Sequence, residues 1–174
     1  MADDIELRIE PARESDTPTV LRLIRALVDY ERLTDEFTVT ESILRAALFG
    51  ERPAAEVALG YVGTEPVGFA VYFPTFSTAS GDTGLYLEDL YVEPAWRNRG
   101  LGRKLFAHVA KVAFGRGGRH VSWSVLNWNE SAMRFYRSLG RPDTGLDQLP
   151  HHWSSLRPTR RRGTVRPALP TLGR

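Results

Sequence analysis

Leu85-Tyr86-Leu87-Glu88-Asp89-Leu90-Tyr91-Val92-Glu93-Pro94-Ala95-Trp96-Arg97-Asn98-Arg99-Gly100-Leu101-Gly102 is the stretch from which the rest of the chain can be read. Leu85 to Val92 is an apolar strand, and Pro94 turns the chain into a basic, glycine-bearing loop. Beyond Gly102, Leu105, Phe106, Val109, Ala110, Val112 and Ala113 recur at helical spacing and predict a helix seated on a sheet. The first N–H groups of such a helix have no partner within it and carry partial positive charge. Glycine, having no side chain, lets that main chain approach an anion closely. Arg97, Arg99, Arg103 and Lys104 add full charges, so the junction predicts a seat for a diphosphate. Taken alone, Arg97 to Gly102 also fits an ordinary turn before a helix. It is not a dinucleotide fingerprint, because Leu105 stands where G-x-G-x-x-G needs its third glycine, and no G-x-x-x-x-G-K string occurs.

Working outward, Ile5 to Glu10 alternates as an edge strand ended by Pro11. Asp16 is placed as N-cap of a helix over Thr17 to Leu33, whose Val20, Leu21, Leu23, Ile24, Leu27 and Val28 form one buried stripe. Thr40 to Phe49 reads as a shorter helix closed by Gly50. Ala55 to Val62 and Val67 to Phe76 form an antiparallel hairpin about Gly63-Thr64-Glu65-Pro66. After the helix that starts near Gly102, Gly115-Arg116-Gly117-Gly118 is a stop, His120 to Val125 a strand, and Asn129 to Leu139 a helix ended by Gly140. Antiparallel strands first and β-α-β-α later predict an α/β (α+β) fold, a mixed, mostly antiparallel sheet with helices on both faces.

The 174 residues, 42% of them hydrophobic, suit one globular domain, expected over 1–150, with 151–174 as an Arg/Pro-rich tail. Residues 157–174 are expected to lack regular structure. With no cysteine, the chemistry must be that of oxygen and nitrogen. The acidic start and the lack of an 18-residue apolar run lead to the expectation of a cytoplasmic protein with no membrane role. The net charge of +2 conceals a segregation: residues 1–93 hold 7 arginines and no lysine against 18 acids, while 94–150 hold 10 basic residues against 3 acids. Opposite fields of this kind suit a protein that receives a polyanion and a cation. They would mean less if the charges interleave in space. Asp29, Glu31, Asp35, Glu36 and Glu41 read either as a solvated face or as an entrance for a cationic substrate. The basic tail lacks interleaved aromatics, so nucleic acid is not an expected partner.

Arg97-x-x-Gly100-x-Gly102 after a strand ending in Val92, followed by Asn129-Glu130-Ser131-Ala132-Met133-Arg134-Phe135-Tyr136 ahead of Leu139-Gly140, resembles the GNAT superfamily of acetyl-CoA-dependent N-acetyltransferases. Leu85-Tyr86-Leu87-Glu88-Asp89, Trp128-Asn129-Glu130 and Leu21 to Leu27 with Tyr30-Glu31 are similar to its diamine (spermidine/spermine) branch. The resemblance spans about residues 5–140. It implies acetyl-CoA as co-substrate and a small cationic amine, such as a polyamine or diamine, as acceptor. It also implies a homodimer, although no residue here marks an interface. The strand pair that should complete the sheet is expected to be degenerate in the proline-rich end.

Acetyl transfer to an amine needs a neutral nucleophile, stabilisation of an oxyanion and a proton for the departing thiolate. An alkylamine with a pKa of about 10.4 costs roughly 4 to 5 kcal/mol to hold neutral at pH 7, so a base helps. Glu88 and its neighbour Asp89 point to opposite faces of their strand. The resemblance selects Glu88 as the base, although a surface or ion-paired acid would look the same. Tyr136 alone reads as core packing; the resemblance makes it the general acid. It likewise assigns diphosphate contacts to Arg97, Asn98, Arg99, Gly100, Leu101, Gly102 and Arg103. The pantetheine arm falls to the main chain of Leu90, Tyr91 and Val92, and the oxyanion to an N–H in that stretch. Asn129 would touch the cofactor arm, or else cap its helix. Trp96 and Trp128 read as packing residues and His108 as exposed. His151-His152 is a poor metal site, so no metal is expected. The other readings open at this point are acetylation of an amino acid, an aminoglycoside or a protein N-terminus, or a non-catalytic acetyl-CoA-binding module.

Overall fold

The structure, a computed structural model, describes residues 6–139 and 161–165, the latter as backbone alone. Ile5, Gly140, His151-His152 and most of the proline-rich end lie outside the described residues, as do the expectations placed on them. The elements are β1 (Leu7–Pro11), α1 (Thr17–Glu31), α2 (Glu41–Phe49), β2 (Glu56–Val62), β3 (Glu65–Phe76), β4 (Thr83–Val92), α3 (Leu101–Gly115), β5 (Val121–Val125), α4 (Glu130–Ser138) and β6 (Arg161–Val165). They fall into two compact units interleaved along the chain. The first takes the residues up to Phe73 together with Asp89–His108; the second takes Pro74–Glu88 and the residues from Val109 on. β3, β4 and α3 each pass from one unit into the other.

In the first unit β1 and β2 pair antiparallel, as do β2 and β3. Glu93, just past β4, donates its N–H to Val67 O at 2.8 Å. The hairpin sorts its residues by size. Val57 lies opposite Val71 and Leu59 opposite Phe69; these large side chains form a core with Val20, Leu23 and Leu27 of α1, Leu44 and Leu48 of α2, and Tyr91. On the other face Ala58 lies opposite Ala70 and Gly60 opposite Gly68, and there the start of α3 comes close. A Cβ on Gly60 would stand 3.1 Å from Leu101 Cδ1, and one on Gly68 would stand 2.8 Å from the carbonyl oxygen of Tyr91. Helices thus cover both faces of this part of the sheet, as the element order predicts.

In the second unit β4 runs parallel to β5, from Leu85 opposite Val121 to Leu87 opposite Trp123, and β5 pairs antiparallel with β6. The sheet is therefore mixed and mostly antiparallel. Residues 161–165, within the stretch expected to lack regular structure, form β6. Leu85, Leu87, Val121, Trp123 and Val125 are buried, with Tyr136 and Leu139 from the end of α4. The glycine stop after α3 is a left-handed cap: Gly117 has φ of +77°, and Gly118 donates to Ala113 O at 2.9 Å.

Three local expectations need correction. The hairpin turn is Gly63-Thr64 alone, because Glu65 pairs with Val62 and Pro66 faces Tyr61 within the strands. A register shift between Gly60 and Tyr61 accommodates Pro66, which has no N–H to give the ladder. Asp16 precedes α1 without capping it; its carboxylate instead accepts the N–H of Arg13 at 2.7 Å. The helix it precedes ends two residues before Leu33, at Glu31, where Arg32 takes a left-handed φ of 61°.

Candidate active site

The loop that should grip a diphosphate is built in the first unit. After β4, a 3-10 turn at Pro94–Trp96 leads to Arg97; Asn98 is left-handed at φ 61° and Gly100 at φ +89°. Few residues tolerate those angles, and asparagine and glycine are the two that do so most readily. The pair of reversals brings the chain to Leu101, the first residue of α3, and Lys104 N–H then bonds Gly100 O at 3.0 Å. The amides of Leu101 and Gly102 sit in the first turn, where an α-helix offers its own N–H groups no acceptor. A Cβ at Gly100 would meet nothing within 4 Å, so no side chain or main chain crowds the loop at that residue. These residues fit a diphosphate by geometry as well as by pattern.

The basic residues divide their work. Arg99 is exposed, its guanidinium 5.0 Å from the Trp96 ring centroid. Trp96 is therefore a half-buried partner of the loop's own arginine. Lys104 reaches back to Leu7 O at 3.2 Å. Arg97 is half-buried: its Nε donates to Val92 O at 2.8 Å and its guanidinium carbon lies 4.7 Å from the Tyr30 ring and 5.5 Å from that of Tyr91. Burial pushes the Tyr91 hydroxyl above the ordinary phenol range, and the positive charge of Arg97 partly offsets that. Glu93, the next residue after Val92, pairs with Arg22 of α1, which also donates to Pro66 O. Sequence reasoning missed Tyr30, Arg22 and the glycine pair as parts of this site. The signal for the glycines was present: small residues at alternate hairpin positions mark a face that something approaches closely.

In the second unit, Glu88 is exposed on β4, one residue past the last pair that β4 makes with β5. Strand alternation puts it on the face of Tyr86, whose hydroxyl bonds Ser124 Oγ at 2.6 Å. Tyr136 is buried on the opposite face, stacked on Trp123 with ring centroids 4.8 Å apart and planes at 24°. Asn129 caps α4, its Oδ1 accepting Ala132 N–H at 3.0 Å. Trp128 is 50% exposed, contrary to a packing role. His108, expected to be exposed, is half-buried with its ring 6.5 Å from that of Tyr72. Of the early acids, Glu41 pairs with Arg45 and Asp29 accepts from Thr34 Oγ1, so these two have structural partners. Among the described residues no three of His, Asp or Glu are grouped to hold a metal ion, and no helix is long and apolar enough to cross a membrane.

The profile of the acetyltransferase (GNAT) family matches residues 24–140. Thialysine N-epsilon-acetyltransferase of Bos taurus is 38% identical over 143 residues, covering 78% of this chain and 84% of that one. Spermidine/spermine N(1)-acetyltransferase-like protein 1 of Homo sapiens is 29% identical over 148 residues, 81% of this chain and 21% of its own. Among solved structures, an aminoglycoside acetyltransferase from an uncultured soil metagenomic sample superposes with a TM-score of 0.68 at 22% identity, over 90% of this chain and all of that one, a likeness of fold alone. A glycine-bearing loop opening a helix beside a mixed sheet, a profile match over most of the chain and a named acetyltransferase at this identity agree: the chain belongs to the GNAT family of N-acetyltransferases, enzymes that use acetyl-CoA as co-substrate.

Proposed function

We propose that this enzyme transfers the acetyl group of acetyl-CoA to the terminal primary amine of a small cationic molecule, a polyamine or diamine, or an amino acid ending in such an amine. The observation that carries the reading is the loop from Arg97 to Gly102. Its two left-handed residues, Asn98 and Gly100, lead directly into the first turn of α3, whose amides have no acceptor within the helix, and that suits a diphosphate. The acidic first half of the chain favours a cationic acceptor. The relative that acts on the ε-amine of thialysine favours a terminal amine on an alkyl chain.

In this proposal the amides of Leu101 and Gly102, with Asn98, Arg99, Gly100 and Arg103, hold the diphosphate, and Arg97 shapes their loop. The main chain of Leu90, Tyr91 and Val92 takes the pantetheine arm, and a contact of Asn129 with the cofactor is carried by the family resemblance alone. Acetyl-CoA supplies an acyl group activated as a thioester. Glu88, exposed and carrying no bulky cover, takes a proton from the incoming ammonium directly or through water. Tyr136 holds its hydroxyl proton for the sulfur, and the stacked Trp123 fixes the ring's direction. Glu88 projects from β4 while Tyr136, on α4, packs against Trp123 on the other face of the β4–β5 pair, and in this proposal one serves the entering amine and the other the leaving thiolate. A homodimer in the cytoplasm belongs to the same proposal, and light scattering on the purified protein reads its stoichiometry.

The test is incubation of the purified protein with acetyl-CoA and a panel of amines, following thiol release: spermidine, putrescine, ornithine, lysine, an aminoglycoside and a peptide with a free N-terminus. Turnover on the short alkylamines and little on the peptide or aminoglycoside is the expected result. Turnover confined to the peptide would overturn the acceptor class, and no thiol release with any amine would overturn the reaction.

A further inference from the structure

Arg97 carries the charge expected to meet the diphosphate, yet its side chain is spent elsewhere. It turns back towards β4, gives Nε to the carbonyl of Val92, and lies against the rings of Tyr30 from α1 and Tyr91 from β4. The residues around it reinforce this direction: Glu93 pairs with Arg22 of α1, and Glu93 N–H bonds Val67 O. Arg97 therefore ties together the end of β4, the helix α1 and the first residue before the left-handed Asn98. A guanidinium is suited to this because its flat face stacks on aromatic rings while its edge still donates; a lysine ammonium has no such face.

We infer that Arg97 is a positioning residue that fixes the Val92 carbonyl and the entry of the loop, and that it acts on the thioester-bearing arm of the co-substrate as much as on the diphosphate. The inference rests on the acetyltransferase reading above. Val92 is one of the main-chain positions that would line the pantetheine arm, and its carbonyl direction is set by the bond from Arg97. Loss of that bond frees the last residue of β4 and the loop together. The diphosphate's charge is then met by the α3 amides and the other basic residues of the loop.

Acetyl-pantetheine distinguishes the two roles, because it carries the same thioester arm without the diphosphate and nucleotide. A residue that only contacts the diphosphate affects acetyl-CoA and leaves acetyl-pantetheine untouched; a residue that orients Val92 affects both. Arg97→Met and Arg97→Lys are expected to lower kcat/KM by roughly 10- to 100-fold with either thioester, the scale on which small misplacements act, with no rescue by lysine. A fall with acetyl-CoA alone, or recovery in Arg97→Lys, overturns the inference. Amide hydrogen exchange on the free protein gives a readout independent of turnover. In Arg97→Lys the amides of Val92 to Asn98 should exchange at least about tenfold faster than in the parent, because the tether of their segment is gone; unchanged exchange there overturns the positioning role. Tyr30→Leu removes one ring face and keeps the arginine, and it should reproduce the same pattern in smaller degree, so a folding failure of one variant does not decide the matter. If the parent protein turns over neither thioester with any amine, the acetyltransferase reading falls and this role with it. If the parent is active, the Arg97 variants judge the positioning role alone.

Discussion

The tightest packing constraint on the start of α3 and the end of β4 is the pair Gly60 and Gly68, and their replacement by alanine should give unequal results. At Gly68 the added methyl would stand 2.8 Å from the main-chain oxygen of Tyr91, with Leu105 Cδ1 and Val92 Cγ2 each at 3.3 Å. A backbone oxygen cannot rotate aside, so strand β4 or β3 must shift. At Gly60 the methyl would meet only Leu101 Cδ1 at 3.1 Å, Leu101 Cγ at 3.3 Å and Leu105 Cδ1 at 3.3 Å, the outer parts of flexible side chains. Overpacking a close contact costs about 1 to 3 kcal/mol. Replacing glycine by alanine, in a backbone that alanine tolerates, returns about 0.4 to 1 kcal/mol through the unfolded chain. Gly68→Ala should thus be destabilised by about 1 to 2 kcal/mol, whereas the two effects nearly cancel in Gly60→Ala. Urea unfolding followed by tryptophan fluorescence measures both, with the midpoint falling at constant m in Gly68→Ala. For a chain of this size the same change lowers Tm by about 2 to 8 °C. A Gly68→Ala protein as stable as the parent, or a Gly60→Ala protein that is the less stable of the two, would refute the reasoning that backbone proximity at Gly68 sets the β4 position.

Three further outcomes follow from the site. Tyr136→Phe keeps the ring that stacks on Trp123 and removes only the hydroxyl; steady-state kinetics should show kcat lower by roughly 100-fold with CoA affinity unchanged, and an unaltered kcat would end the general-acid assignment. Asn129→Ala removes the α4 cap seen at Ala132 and should cost about 1 kcal/mol of stability. Asn129→Asp keeps that acceptor but has no amide N–H, so it should melt like the parent while the KM for acetyl-CoA rises several-fold; an unchanged KM would reduce Asn129 to a cap. Burial first, with nearby acids adding to it, raises the hydroxyl of Tyr61, and burial raises that of Tyr91. Below the unfolded phenol value of about 10 this stabilisation is complete. Above it the unfolded chain loses its protons first, so stability is lost as the pH rises through the higher folded values. Thermal melts from pH 8 to 11 should hold steady and then fall past 10, and Tyr91→Phe should blunt the fall.

The sequence made the elements legible because their signals are local. Alternation exposed β2 and β3, helical spacing exposed α1 and α3, and Gly115 to Gly118 announced a left-handed cap that Gly117 provides. It misread the hairpin turn because Glu65 and Pro66 have turn chemistry, and only the register shows that Pro66 lies where a bulge frees it from donating. Asp16 misled for a related reason. Its position suits an N-cap, but its carboxylate accepts the N–H of Arg13 instead of one from α1. Arg97 was legible as a member of the loop and illegible as its clamp, since Tyr30 stands on a different element and no short-range pattern links the two.

The loop's precision then has two sources of opposite character. One is absence: Gly60 and Gly68 leave no side chain between the hairpin and α3, so the helix rests on main chain, and main chain has few ways to yield. The other is a charge enclosed by rings: Arg97 holds the far end of the loop through one hydrogen bond and two aromatic faces. The residues between these anchors, Asn98 to Gly100, are exposed and use left-handed angles at two of three positions. An exposed turn of that kind would wander if either anchor were loose. Fixed at both ends, its amides are held in direction by the fold itself, so an anion bound there would find the ordering cost already met. That is why substitutions at the loop's two anchors, Gly68 beneath it and Arg97 at its start, are expected to perturb it as strongly as substitutions among the exposed residues between them.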